Sequence, residues 1–314
     1  MHDLISINQI TKVSEVARIF RTAADMEKIV KSRKTASFLR NKTVAELFYQ
    51  PSTRTFSSFL AACKWLGCER VIAIHGMSQY SSAVKGETLK DTVRTIEQTT
   101  ACDAIILRHP DDDSAQVAAE WASVPVINAG SGKKEHPTQA LLDLYTIKKR
   151  LGKMTGLRVG FLGDLLNGRT VKSLSRLLTV VDKNPKIFLI SPKVLKLPKI
   201  DYDYLQLRGA ELTVTESLDK VIGGLDVLYV TRIQSEWFKT PVEKKLYASL
   251  KGQYDITPKV LEKAEKNLIV MHPLPRVGEI SEAVDADPRA AYFEQMRNGL
   301  YVRMAILKLI LCQK

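Results

Sequence analysis

Short apolar runs alternate with stretches of helical spacing along almost the whole chain of 314 residues. The run Val44 to Tyr49 reads as a buried strand, and Pro51, which cannot continue a sheet ladder, ends it. Beyond the proline, Phe56, Phe59, Leu60, Cys63 and Leu66 recur at helical spacing, with Ser52 and Thr53 placed to cap the helix. Residues 5–33 carry two helix-like stretches, the second over Val13 to Lys31. Val71 to His75 is a second strand, followed by a polar loop from Gly76 to Glu87 that is expected to be mobile. Helical spacing resumes at Thr88. Ala104 to Leu107 and Val124 to Asn128 are the third and fourth strands, and Ala129 to Gly132 reads as a loop. His136-Pro137-Thr138-Gln139 then opens a further helix.

A boundary falls at Gly152 to Gly156, after which the alternation starts again. Strands are expected at Leu157 to Leu162, Lys186 to Ile190, Glu211 to Thr215, Val227 to Thr231 and Leu268 to Met271. Arg289 to Leu311 reads as a long amphipathic helix returning to the first domain. Strands alternating with helices imply parallel sheets, so the fold class is α/β with two doubly wound domains. Ligands in such sheets bind beyond the carboxyl ends of the strands, which is where the polar clusters lie.

Composition narrows the class only a little. Hydrophobic content of 45% and charged content of 26% are those of a globular protein. No stretch approaches the ~18 apolar residues needed to span a bilayer, and the first residues lack the pattern of a signal peptide. The expectation is a cytoplasmic protein without a membrane partner. Cys63, Cys68, Cys102 and Cys312 form no CxxC pair and have no histidine at ligand spacing, so reduced thiols and no metal site are expected. A net charge of +13 favours acidic partners. The basic residues are scattered without aromatic interleaving, which points to small anions and not to nucleic acid.

The stretch after the first strand shows how such an anion is held. A strand, a tight turn and a helix start leave backbone N–H groups pointing outward, and Ser52, Thr53, Arg54 and Thr55 add hydroxyls and a guanidinium. Helix-end donors, the helix dipole and a forked cation on one spot make a phosphate cradle. An ordinary capped helix with a solvated arginine is the competing reading of that run alone.

Ser52-Thr53-Arg54-Thr55, Lys85-Gly86-Glu87-Thr88, Arg108-His109-Pro110, His136 to Asp143, Gly163-Asp164 with Gly168-Arg169-Thr170-Val171, Thr231-Arg232-Ile233-Gln234 and His272-Pro273-Leu274-Pro275-Arg276 occur in this order. Together they resemble the catalytic chains of aspartate carbamoyltransferases over nearly the whole sequence. The resemblance implies transfer of the carbamoyl group of carbamoyl phosphate to L-aspartate, giving N-carbamoyl-L-aspartate and phosphate in pyrimidine synthesis, without a cofactor. It implies a homotrimer with the active site in the cleft between two domains and at a subunit interface. It leaves open a separate regulatory chain as a partner. The carbamoyl-phosphate domain would span residues 1–150 plus 288–314, and the aspartate domain residues 151–287.

The same resemblance assigns roles. Carbamoyl phosphate would be bound by Ser52, Thr53, Arg54, Thr55, Arg108, His136, Gln139, Leu274 and Pro275. Arg54, Thr55, Arg108 and His136 would be catalytic. Lys85, Arg169, Arg232 and Gln234 would hold aspartate, with Ser81 and Lys85 supplied by the neighbouring subunit. The chemistry fits: a phosphate leaving group needs cations and N–H donors, and each carboxylate is best held by a guanidinium. His136 also suits the start of a helix, Thr170 reads as a helix cap, and Asp143, Asp164 and Glu87 read as structural.

Three positions depart from the family pattern. Gln50 stands where relatives have an acidic residue, Trp237 where a basic one is frequent, and Phe56 where an arginine is common. The ornithine-specific branch would call for a cysteine in place of Pro273 and a different second-domain loop. A nucleotide-binding α/β protein is the rival of another class, but Gly160-Phe161-Leu162-Gly163-Asp164 lacks the spaced glycines of a dinucleotide site.

Overall fold

The computed structural model describes residues 2–235, 238–250 and 252–312. It divides the chain into two compact units, residues 1–145 with 296–314, and residues 146–295. The breaks fall inside two helices and not at the glycine-rich segment 152–156, so the division sits a few residues from the boundaries expected at 150/151 and 287/288.

In the first unit, β1 (Thr43–Phe48), β2 (Arg70–His75), β3 (Ala104–His109) and β4 (Val126–Ser131) form one sheet in the order β2-β1-β3-β4. All neighbours are parallel. All six residues of β1 are buried, as a central strand covered on both faces requires. Leu4 adds a one-residue bridge to Ile127 at the β4 edge, with Leu4 N–H to Val126 O at 3.0 Å. The unit also holds α1 (Val13–Ser32), α2 (Thr53–Trp65), α3 (Met77–Tyr80), α4 (Leu89–Thr100) and α5 (Ser114–Trp121). Helix α6 (Pro137–Leu151) carries the chain out of this unit.

The second unit has β5 (Arg158–Leu162), β6 (Lys186–Ile190), β7 (Glu211–Thr215), β8 (Val227–Val230) and β9 (Ile269–Met271), ordered β7-β6-β5-β8-β9 and again all parallel. Helices α7 (Arg169–Val181), α8 (Lys199–Leu207), α9 (Pro241–Leu250) and α10 (Pro258–Leu261) follow its strands. Among the described residues no helix is long and apolar enough to cross a membrane.

Several expectations need correcting. The segment read as a loop after the second strand contains α3 and a 3-10 turn at Ser82–Lys85, because Met77 is buried and anchors it. The fourth strand runs to Ser131, past the point where a loop was expected, because Ser131 N–H bonds Glu135 O at 3.0 Å and closes a tight turn. Helix α11 (Tyr292–Leu311) starts three residues later than expected. Its middle is not amphipathic: Tyr301 to Leu307 are buried on every side, Arg303 among them. That helix is core of the first unit from Met296 onward.

One core position yields a prediction of its own. Glu46, in the centre of β1, is fully buried, and neither carboxylate oxygen has a hydrogen-bond partner. Burial pushes its pKa from 4.5 to about 8, with Cys68 adding to the shift and Arg303 opposing it. A raised carboxyl pKa means that the folded chain keeps a proton the unfolded chain releases, so stability falls as pH rises from 4.5 to about 8. Glu46→Gln should abolish that decline and be more stable by a few kcal/mol at pH 8. Urea unfolding at pH 5 and pH 8 checks this; parallel behaviour of the two proteins would contradict it.

Candidate active site

Both sheets reverse strand direction of travel at one point, between β1 and β3 in the first unit and between β5 and β8 in the second. Ligands favour the carboxyl ends of strands at such switch points. Ser52 to Thr55 and Arg108 flank the first of these points, and Arg169, Arg232 and Gln234 flank the second; the other expected site residues follow neighbouring strands.

In the first unit, Tyr49 N–H extends the β1–β3 pairing by bonding Arg108 O at 2.8 Å, and Pro51 then turns the chain into α2. Ser52 is the N-cap residue, yet its side chain makes no capping bond. The first helical bond runs from Phe56 N–H to Ser52 O at 3.1 Å, so the N–H groups of the first turn have no carbonyl one turn behind them. An ordinary cap would have consumed that hydroxyl; here it is left out of the cap, beside the N–H groups of the helix start. Thr53 and Arg54 are exposed and Thr55 is buried. Desolvation lowers the Arg54 pKa, though a guanidinium remains charged at neutral pH.

Arg108 lies opposite a bulge. The β3–β4 register passes from Leu107↔Asn128 to His109↔Ser131, so β4 spends one more residue than β3. The displaced Ala129 carbonyl accepts a bond from Arg108 Nη1 at 3.2 Å, which aims the half-buried guanidinium. Its neighbour His109 turns away, edge-on to Tyr49 at 4.3 Å, and its Nδ1 accepts from Asp111 N–H at 3.1 Å. Burial pulls the His109 pKa below its ordinary value.

After β4 the chain returns through Glu135, whose carboxylate takes Ser6 Oγ at 2.9 Å and Ile7 N–H at 2.8 Å. This fixes His136 at the head of α6, where its carbonyl accepts from Gln139 N–H at 3.0 Å and Ala140 N–H at 3.2 Å. His136 therefore serves the helix start with its backbone and keeps a buried ring, with Nδ1 3.5 Å from Thr138 Oγ1. One turn on, Gln139 Nε2 donates to Asp143 Oδ1 at 2.8 Å. Ser52 to Thr55, Arg108, His136 and Gln139 thus follow three adjacent strands.

Ser81 and Lys85 follow the edge strand β2. Ser81 Oγ donates to Met77 O at 2.6 Å and accepts from Ala83 N–H at 3.2 Å, while Lys85 is exposed. Within this chain neither is brought to the α2 cluster by any bond of its side chain that the structure shows.

In the second unit, Gly163 ends β5 with φ of 111°, and a Cβ there would lie 2.3 Å from Thr231 O. Only glycine lets the ends of β5 and β8 approach so closely. Asp164, fully buried, accepts from Asn167 N–H at 2.9 Å and from the Gln234 N–H. Burial raises its pKa, and these N–H donors act against the shift. One carboxylate thus ties the loop leading to Arg169 to the loop holding Arg232 and Gln234. All three of those side chains are partly exposed. Helix α7 is capped at Gly168, so Thr170 lies inside the helix and is not its cap. Trp237 lies outside the described residues. Gln50 is partly exposed in the turn after β1.

Next to β8, strand β9 delivers His272, whose Nδ1 accepts from Leu274 N–H at 2.8 Å and whose Nε2 faces Glu279 Oε1 at 2.8 Å. The accepting Nδ1 puts the ring proton on Nε2, toward the carboxylate. Leu274 is held at φ of 55°, before a cis bond to Pro275. The backbone there is fixed by the buried histidine. Arg169, Arg232 with Gln234, and Leu274 with Pro275 again follow three adjacent strands, β5, β8 and β9.

Two residues taken as structural carry more than packing. Asp143 holds the Gln139 amide, a link foreshadowed by their i, i+4 spacing on one helix. Asp164 organises both loops of the second cluster, and nothing in its local spacing announced the Gln234 bond. Phe56, the departure from the family arginine, packs edge-on to Phe48 at 5.2 Å and to His75 at 5.3 Å. It fills apolar space beside the strands.

Comparison with known proteins identifies the family. Residues 2–149 match the family model for the aspartate/ornithine carbamoyltransferase carbamoyl-P binding domain, and residues 155–310 match that for the Asp/Orn binding domain. The aspartate carbamoyltransferase catalytic subunit of Methanopyrus kandleri is 47% identical over 310 residues, covering 98% of this chain and 97% of that protein. The chloroplastic aspartate carbamoyltransferase of Arabidopsis thaliana is 48% identical over 296 residues, covering 94% of this chain and 74% of that protein. The crystal structure of aspartate transcarbamoylase from Trypanosoma cruzi in complex with carbamoyl phosphate matches with a TM-score of 0.90 and 38% identity, covering 98% of this chain and 96% of that one. With family models matching both halves of the chain and relatives this similar over nearly full length, the chain belongs to the aspartate/ornithine carbamoyltransferase family, among its aspartate carbamoyltransferases.

Proposed function

We propose that this chain carbamoylates L-aspartate with carbamoyl phosphate, releasing phosphate, as a step of pyrimidine synthesis. The observation that carries the reading is the head of α2, where Ser52 is the N-cap but leaves its hydroxyl out of the cap. Together with Thr53, Arg54 and Thr55 it offers a dianion N–H groups, hydroxyls and a guanidinium. Arg108, at the neighbouring strand end, adds a second cation.

In this mechanism the aspartate amine attacks the carbamoyl carbon and negative charge gathers on the carbonyl oxygen. Thr55, Arg108 and His136 donate to that oxygen, a neutral His136 ring being sufficient. The carbon–oxygen bond to phosphate then breaks as the attacking nitrogen gives up one proton to the departing phosphate, and Ser52, Thr53, Arg54 and Thr55 hold the charge that remains on it. Gln139 Oε1 and the backbone carbonyls of Leu274 and Pro275 accept from the carbamoyl NH₂. Arg169 and Arg232, with Gln234 and Lys85, hold the two carboxylates of aspartate.

Carbamoyl phosphate labelled at its carbamoyl carbon tests the reading. In the presence of L-aspartate the label should appear in N-carbamoyl-L-aspartate with one phosphate released per transfer. Phosphate release without labelled product would contradict it.

The working form in this proposal is a cytoplasmic homotrimer in which Ser81 and Lys85 complete a neighbour's site. An exposed lysine on a polar segment, remote in sequence from the α2 cluster, supports it. Mixing inactive Lys85→Ala chains with inactive His136→Ala chains should restore part of the activity, because some hybrid sites carry neither lesion. If each site is complete within one chain, mixing restores nothing.

A further inference from the structure

We propose that Asp143 is a positioning residue that fixes the orientation of the Gln139 amide and thereby sets the preference for a carbamoyl over an acetyl group on the phosphate donor. The inference rests on the proposed carbamoyl transfer and concerns a residue that never touches substrate. A glutamine amide has nearly the same shape either way round, so shape alone does not choose whether oxygen or NH₂ meets the ligand. A carbamoyl NH₂ offers only donors and therefore needs the oxygen.

The choice is made behind the glutamine. Gln139 is 5% exposed and Asp143 is fully buried, and they lie one turn apart on α6 with Nε2 2.8 Å from Oδ1. The Asp143 carboxylate accepts from Nε2, which leaves Oε1 as the amide atom that can accept from the ligand. Arg303 from α11 lies buried in the same unit, and its charge interacts favourably with Asp143. Burial lowers the Arg303 pKa only to about 10, so it remains cationic at neutral pH.

Arg303 is itself firmly placed. Its Nη1 donates to Ser58 Oγ at 2.9 Å, and its guanidinium lies 5.3 Å from the Phe59 ring centroid. Gly299, one turn earlier on α11, makes room for it: a Cβ there would come within 2.7 Å of Nη1. A buried cation thus interacts favourably with the Asp143 carboxylate, and that carboxylate, by accepting from Nε2, leaves Gln139 Oε1 as the acceptor toward the ligand. Sites built to pair with a substrate NH discriminate strongly against an analogue that lacks it. Acetyl phosphate is that analogue, with CH₃ in place of NH₂.

The test is Asp143→Asn, which preserves shape but lets the partner donate as well as accept. kcat/KM is measured at saturating L-aspartate with carbamoyl phosphate and with acetyl phosphate, following phosphate release and the mass of the acylated product. In both reactions the amine displaces phosphate from the carbonyl carbon, so only the donor group differs. The wild-type chain should prefer carbamoyl phosphate strongly. Asp143→Asn should reduce the ratio of the two kcat/KM values about 10- to 100-fold, chiefly through the carbamoyl donor. Should the asparagine variant fail to fold, Asp143→Ser removes the same acceptor-only constraint with a smaller side chain and should give the same loss of preference. On a Gln139→Met background either substitution should leave the ratio unchanged. Equal losses with both donors would show a purely structural role and overturn the proposal. A wild-type chain that transfers nothing from carbamoyl phosphate would instead overturn the functional reading, and this inference with it.

Discussion

Replacing Arg54 by alanine should lower kcat about a thousandfold while changing the KM for L-aspartate only severalfold. The guanidinium stands in the first turn of α2, beside N–H groups that have no carbonyl behind them and a serine hydroxyl left out of the helix cap. Charge on the phosphate rises as the carbon–oxygen bond breaks, so donors aimed there hold the transition state more tightly than the ground state. The N–H groups of the helix and the Arg108 cation remain in the variant, which is why residual activity is expected. Arg54→Lys should recover only part of the loss, since an ammonium restores charge without the planar fork. Steady-state kinetics with both substrates varied checks this; a variant with unaltered kcat and a raised KM alone would contradict the role.

Arg232→Ala should do the opposite. Its side chain follows β8 and is partly exposed, on a loop tied through the Gln234 N–H to Asp164. The aspartate carboxylate it is proposed to hold is charged before and after reaction, so losing the contact weakens binding at every stage. The KM for L-aspartate should rise roughly 10- to 100-fold, the size expected for a hydrogen bond to a charged group, with kcat at saturation within severalfold of wild type. An unchanged aspartate KM would reject the assignment. Asp164→Asn should raise the same KM, because it loosens both loops, and it should do so with a larger fall in kcat.

The placement of these two arginines was legible in the sequence, because each stands shortly after an apolar run that ends a strand. Strand-to-helix junctions announce themselves locally: Pro51 stops β1, and the helical spacing from Phe56 onward defines α2. Parallel order followed from the alternation alone, and the structure's two all-parallel sheets agree with it. What could not be read is whatever depends on residues far apart in the chain. Glu135 is positioned by Ser6, 129 residues away, and the bulge that aims Arg108 exists only once β3 and β4 are paired. The burial of Arg303 follows the same rule, since a helix end surrounded by its own unit looks amphipathic until its neighbours are known. The segment after β2 was misread because its polar composition hid one anchoring methionine. Glu46 was hidden by its setting in an apolar run, where a carboxyl has no local reason to be buried.

The choice of acceptor tests the central claim most directly. Purified chain is supplied with carbamoyl phosphate and, in separate reactions, L-aspartate or L-ornithine, and carbamoylated product is quantified by mass. Two guanidinium-bearing loops at the ends of β5 and β8 suit two carboxylates and repel a cationic side chain, so kcat/KM for L-aspartate should exceed that for L-ornithine by about a thousandfold or more. Carbamoylation of L-ornithine at a comparable rate, or of neither acceptor, would contradict the account.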